Sequence, residues 1–171
     1  QALLAQFNRE NPKRLQELMK KSTNLCFPNG TLLAAACSGG RDAAADLLLR
    51  YGAVPDQRCP SGSTALVLAC FNGRTDCVRL LLGLPGSLRG PMATAAPPAP
   101  VLRRPRAACP KIATPGGHSL IHACRGVDEG AAVEIARTLL KVDPTLAIQA
   151  VEGGIALHAA AASGFPRVMV R

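Results

Sequence analysis

The sequence repeats itself. Thr31-Leu-Leu-Ala-Ala-Ala-Cys-Ser-Gly-Gly-Arg41 aligns almost position for position with Thr64-Ala-Leu-Val-Leu-Ala-Cys-Phe-Asn-Gly-Arg74, a displacement of 33 residues. The Leu47-Leu48-Leu49 run then falls on Leu80-Leu81-Leu82. Similarity at a fixed period of this length specifies stacked units, each too thin to bury its apolar face alone, and not a single globular core. Such a stack offers a long surface and rarely a catalytic pocket. The layout returns in Gly117-His-Ser119-Leu-Ile-His122-Ala-Cys124, and again in Gly153-Gly-Ile155-Ala-Leu-His158-Ala-Ala160, followed by Gly164.

These segments resemble the ankyrin repeat, a β-turn plus two helices with a T-P-L-H-x-A signature. The signature reads Thr31-Leu-Leu-Ala-Ala-Ala36, Thr64-Ala-Leu-Val-Leu-Ala69, Ser119-Leu-Ile-His-Ala-Cys124 and Ile155-Ala-Leu-His-Ala-Ala160. The resemblance covers residues 29–85 and 116–171, and it implies an all-α ankyrin-repeat solenoid of helix-turn-helix units joined by β-turns.

Each match has a physical reason. Thr31, Thr64 and Ser119 stand where a first helix begins, and a hydroxyl there can cap free backbone N–H groups. Leu33, Leu66, Ile121 and Leu157 follow two residues later and are expected in the core. Ala36, Ala69, Cys124 and Ala160 are small enough for helices to approach closely. Gly40, Gly73 and Gly164 mark the end of that helix, where a left-handed residue is favoured. The leucine triplets are expected on the buried side of the second helix. The departures are as clear. No repeat keeps the family proline, Ala34 and Val67 stand where the family prefers histidine, and Ile155 replaces a capping hydroxyl. In the third repeat, residues 126–130 read as about three extra residues between the helices.

Composition agrees with thin helix pairs. Hydrophobic residues make up 48% of the chain, yet aromatics only 3% with no tryptophan, so alanine and leucine must fill the core. No apolar run approaches the ~20 residues that span a membrane. Gln1 in place of an initiator methionine, without a basic-then-apolar leader, suggests a fragment of a longer protein. Cys37 and Cys70 occupy equivalent positions, with Cys124 one position away, as small buried residues. Stacked repeats lie about 10 Å apart, beyond the ~7 Å reach of a disulfide between α-carbons. Reduced thiols in the cytoplasm or nucleus are therefore expected.

Along the chain, residues 1–28 show two apolar stripes split by Asn11-Pro12, an N-terminal cap or a truncated repeat. Repeats follow at 29–60, 61–85, 116–150 and, truncated, 151–171. Between the second and third, the period is exceeded by 22 residues. Residues 86–115 hold seven of the 14 prolines, five basic residues and no acidic one, which supplies +5 of the net charge of +9. Proline without apolar period implies an inserted loop that is disordered or follows an extended polyproline-like path.

The sequence offers no catalytic constellation: no phosphate-cradling loop ending in Lys-Ser/Thr, and no Gly-x-Ser-x-Gly elbow. His118, His122 and Cys124 lack metal-ligand spacing and no Cys-x-x-Cys pair exists, so neither a metal nor a cofactor is expected. His122 and His158 read as structural signature histidines. Arg103, Arg104 and Arg106 form a short basic cluster, either a solvated loop or an attachment point for an acidic partner. Nucleic acid is disfavoured because no aromatics interleave with the basic residues.

The resemblance implies a non-enzymatic protein-protein interaction module, a scaffold or adaptor holding a partner protein on its concave face. The alternative is the substrate-recruiting region of a larger enzyme whose catalytic domain lies outside this sequence. Oligomeric state is left open. The family's concave face, carried over position by position, implies Arg58, Ser61, Ser63, Phe71 and Asn72 in the second repeat, His118 in the third, and Gln149 and Glu152 in the fourth. Phe71, just before Gly73, is the candidate apolar anchor.

Overall fold

The structure, a computed structural model, describes residues 26–27, 30–84, 107–126, 128–149 and 155–169. A short antiparallel pair, β1 (Cys26–Phe27) with β2 (Gly30–Thr31), sets Cys26 opposite Thr31 and leads into four helix pairs. These are α1 (Leu32–Ser38) with α2 (Asp42–Arg50), and α3 (Ala65–Phe71) with α4 (Thr75–Leu81). Then come α5 (Ser119–Cys124) with α6 (Glu129–Val142), and α7 (Ala156–Ala162) with α8 (Pro166–Met169). The inner helices stack in the order α1, α3, α5, α7, and the outer helices stack beside them as α2, α4, α6, α8. The fold is the all-α solenoid that the period implies.

Local chemistry starts each inner helix. Thr31 Oγ1 accepts from the Ala34 amide at 3.1 Å, and Thr64 Oγ1 accepts from the Val67 amide at 3.4 Å. Each cap satisfies an amide that the first turn leaves without a partner. The third repeat departs from the expectation. His118, not Ser119, is the residue before the helix, and it makes no side-chain cap. Ser119 is inside the helix, and its hydroxyl donates to the Pro110 carbonyl at 2.8 Å.

This one-residue shift corrects two further expectations. The cap-to-outer-helix step is the same in every repeat: Thr31 to Asp42, Thr64 to Thr75, His118 to Glu129 and Ile155 to Pro166. The third repeat therefore has no extra residues between its helices. Its added length is in α6, which has 14 residues where α2 has 9 and α4 has 7. Asp128 starts α6 by accepting from Gly130 and Ala131, and Pro144, which cannot continue the ladder, follows its end. Cys124 also falls in the same column as Cys37 and Cys70.

Leu33, Leu66 and Leu120 share one buried column, each removing an apolar side chain from water for about 2 kcal/mol. Ala36, Ala69, Ala123 and Ala160 are buried where neighbouring helices meet. Leu157, expected in the core, is 48% exposed. Its column, with those of His158 and Ala161, is buried in each preceding repeat against the repeat that follows, and no described element covers it on α7. Leu49 is buried but Leu47 is exposed, so the first leucine triplet straddles the edge of the buried stripe. The second triplet, Leu80, Leu81 and Leu82, is buried throughout.

Residues 107–115 belong to the third repeat and not to the inserted segment. They form the leading turn of the third repeat, matching residues 53–61 of the second. The Ala108 amide donates to the Leu81 carbonyl at 2.9 Å, and the Cys109 amide donates to Asp56 Oδ1 at 2.8 Å. The Lys111 ammonium lies 2.8 Å from Asp143, which ties the turn to the end of α6. The Ala107 methyl lies only 3.8 Å from where a side chain on Gly83 would begin. The two ends that frame residues 85–106 are thus adjacent, and the third repeat stacks on the second as if the sequence between were absent.

Candidate partner-binding face

The unburied side of the inner helices follows the helical spacing of three and four residues. On α1 it carries Leu32, Ala35 and Ser38, and on α3 it carries Leu68 and Phe71, with Asn72 following. On α5 it carries His122, with Arg125 following. Ala35, Leu68 and His122 are one column of the stack, and Ser38, Phe71 and Arg125 are another. The same sides of successive repeats therefore join into one strip.

Phe71 sits in the middle of that strip and is 41% exposed. Its ring meets the His122 ring edge-on, with centroids 6.4 Å apart and planes at 75°. The ring is pinned on one side by the third repeat and open on the other. Asn72 is a link between repeats: its Nδ2 donates to Ser38 Oγ at 3.2 Å and to the Leu68 carbonyl at 2.8 Å. Arg58 is exposed on the preceding turn, and its Nη1 donates to the Gly62 carbonyl at 3.2 Å. Ser61 is exposed on the same turn and Ser63 is half-buried.

His118 does not belong to this face. It is fully buried, its Nε2 donates to the Gln149 carbonyl at 3.2 Å, and its Nδ1 has no partner among the described residues. Burial holds its pKa below the ordinary histidine value, against the opposing effect of the Gln149 hydrogen bond. Gln149 is half-buried, and its Oε1 is buried without a partner among the described residues. These two residues join the third repeat to the turn that follows it.

His122, read as a signature histidine, occupies the column after the one that His158 occupies. Its Nε2 lies 3.0 Å from Thr114 Oγ1, and the Thr114 hydroxyl donates to the Gly117 carbonyl at 2.7 Å. Burial, the nearby Arg125 and His118 all hold the His122 pKa down. His158 Nδ1 receives the Ile155 amide at 3.4 Å, across the start of α7.

Glu152 and the basic cluster Arg103, Arg104 and Arg106 lie outside the described residues. Leu68, His122 and Arg125 belong to the strip, but the sequence reading placed none of them on the partner-binding face, taking His122 as a structural signature histidine. The signal for them was present: each lies three or four residues from a strip position, or one repeat away from Phe71. Among the described residues, no group of three or more His, Cys, Asp or Glu side chains could hold a metal ion. No helix among them is long and apolar enough to cross a membrane.

A family model described as ankyrin repeats matches residues 2–87 in three copies. No curated protein matches the chain. The third and fourth helix pairs lie beyond the match, and the constant cap-to-helix step and shared columns mark them as units of the same kind.

Proposed function

Starting from the chain's place in the ankyrin-repeat family, to which it belongs, we propose that it is a scaffold or adaptor that holds a partner protein on the strip of its inner helices. Ankyrin repeats are generally protein-protein interaction modules and typically non-catalytic. The observation that carries the proposal is Phe71. A phenylalanine whose column carries Ser38 in the first repeat and Arg125 in the third meets the His122 ring edge-on and is left 41% exposed. A fixed, half-exposed aromatic ring is the kind of group that contributes about 2 kcal/mol or more to binding.

Charge supports the same side. None of the inner helices carries an acidic residue, whereas Asp42, Asp46, Asp76, Glu129 and Glu134 all lie on outer helices. Arg125 adds a cation in the Phe71 column. An acidic segment with an apolar residue is the partner chemistry this arrangement favours. Cys37, Cys59, Cys70, Cys77, Cys109 and Cys124 are free thiols, which supports residence in the cytoplasm or nucleus.

The test is affinity capture from a cell lysate with the wild-type chain, Phe71→Ala and the outer-helix variant Arg137→Ala, each protein quantified. A partner on the strip is retained by Arg137→Ala and weakened about 30-fold by Phe71→Ala, the equivalent of about 2 kcal/mol. Partners lost with Arg137→Ala and retained with Phe71→Ala would place binding on the opposite side and reject the proposal.

A further inference from the structure

Most of the described hydroxyls are engaged in the fold. Thr31 and Thr64 cap helices, and the Thr114, Ser119, Thr138 and Thr145 hydroxyls all donate to acceptors of the chain. Ser61, on the turn that leads into α3, is exposed instead, and its hydroxyl has no partner among the described residues.

The turn is fixed from below. The Cys59 amide donates to the Ser63 carbonyl and the Gly62 amide donates to the Cys59 carbonyl, each at 2.8 Å. Cys59 is buried, with its Sγ 2.8 Å from where a Gly30 side chain would begin. Gly62 closes the turn at a φ of 79° and abuts the Pro115 ring of the next leading turn. The chain therefore doubles back at Pro60 and Ser61, which are both left exposed at the tip.

Arg58 lies three residues before Ser61 and is also exposed. Its Nη1 donates to the Gly62 carbonyl at 3.2 Å, so its guanidinium stays over the same turn. No other serine or threonine in the sequence has an arginine three residues before it. Thr23 and Thr114 have a lysine there, Lys20 and Lys111. Thr114, however, is buried and its hydroxyl donates to the Gly117 carbonyl.

We propose that Ser61 is a phosphorylation site for a serine/threonine kinase that selects an arginine three residues before the acceptor, and that the phosphate, once attached, is held by Arg58. Kinases choose substrates by charge pattern, and here both the cation and the acceptor are open to solvent. The Ser61 oxygen attacks the terminal phosphorus of a nucleoside triphosphate. An O–P bond forms while the bond from that phosphorus to the nucleoside diphosphate breaks. The hydroxyl proton passes to a carboxylate of the kinase, and the diphosphate leaves.

The product carries about −1.5 to −2 charges and three strong acceptor oxygens. A guanidinium pairs with such a group through parallel N–H···O bonds, and Arg58 already reaches the residue next to Ser61. The regulatory meaning rests on the reading of the strip as the seat of an acidic segment. A phosphate on the turn leading into α3 repels such a segment and occupies Arg58.

The experiment treats the folded full chain with magnesium, ATP and a purified arginine-directed kinase whose activity is first established on a reference peptide. Tryptic peptide 59–74 carries Ser61, Ser63 and Thr64, and fragment sequencing tells them apart. The expected product has one phosphate on Ser61 and none on Ser63, Thr64 or Thr114. Arg58→Ala, with helical circular dichroism unchanged, should slow the transfer at least about ten-fold. Phosphorus-31 NMR of the wild-type product reads the pairing. Beside Arg58 the phosphate gives up its last proton below the ordinary value of about 6, and in urea it returns to that value. No phosphate on Ser61, transfer that ignores Arg58, or equal modification of the buried Thr64 and Thr114 overturns the site. Titration near the ordinary value in both states overturns the pairing with Arg58. None of these readouts involves Phe71, so failure here leaves the strip reading standing, and failure of the strip reading leaves the Ser61 site standing.

Discussion

Three glycines of one column give a graded test of the stack. Gly40, Gly73 and Gly164 adopt φ of 71°, 66° and 69°, so alanine meets the same backbone penalty at each. That penalty is about 1–2 kcal/mol for a left-handed residue, partly offset by the lower entropy of the unfolded alanine chain. What differs is the space. Beside Gly164 nothing lies within 4 Å of a new methyl. Beside Gly40 the obstacle is the flexible Arg74 side chain, at 3.0 Å. Beside Gly73 it is Ala131 Cβ at 3.0 Å, fixed to the backbone of α6 in the next repeat. A clash that the backbone must absorb adds about 1–3 kcal/mol. The expected losses are about 1 kcal/mol for Gly164→Ala, slightly more for Gly40→Ala, and about 2–4 kcal/mol for Gly73→Ala. Urea denaturation followed by far-ultraviolet circular dichroism measures all three. Were Gly73→Ala no worse than Gly164→Ala, α6 could not be packed against the second repeat, and the stacking across residues 85–106 would be wrong.

Two further outcomes follow from the same contacts. His118 and His122 hold pKa values below the ordinary 6.5, so the unfolded chain binds protons that the folded chain resists. Stability should therefore be fully present above about pH 6.5 and decline as the pH falls below it, with a lower urea midpoint at about pH 5.5 than at about pH 7.5. His118→Asn should shrink that difference, and an unchanged difference would remove His118 as its source. Replacing residues 85–106 with two glycines should leave the fold intact and raise its stability by up to about 2 kcal/mol, because the ends already meet and the closed loop is shorter. A variant that loses its helical circular dichroism would show that the removed segment is part of the core.

Much of this was legible because each repeat writes the same physics in the same columns. Thr31 and Thr64 announce caps, Gly40 and Gly73 announce helix ends, and Leu33 and Leu66 announce the core; all six behave accordingly. The third repeat was misread by one residue because Ser119 has the chemistry of a cap and His118 does not. The competing fact was the Pro110 carbonyl, a distant acceptor that takes the Ser119 hydroxyl. Leu157 was misread because burial of its column is a property of the following repeat, not of the leucine. Residues 107–115 looked like part of the inserted loop because prolines disguise a turn whose anchors, Asp56 and Leu81, lie in the second repeat. On the candidate face Phe71 was legible from its column, whereas His118 was misplaced by the same one-residue error.

That one continuous face runs across the inserted residues, from the second repeat to the third, is tested most directly by a double-mutant cycle on Phe71 and His122. Unfolding free energies of the wild type, Phe71→Ala, His122→Ala and the double variant isolate the contact between the two rings. An edge-to-face pair at the observed 6.4 Å predicts a coupling of about 0.5–1.5 kcal/mol in the stabilising direction. Single-variant losses that simply add, within about 0.3 kcal/mol, would mean that the rings do not touch and that the face is broken between Phe71 and His122.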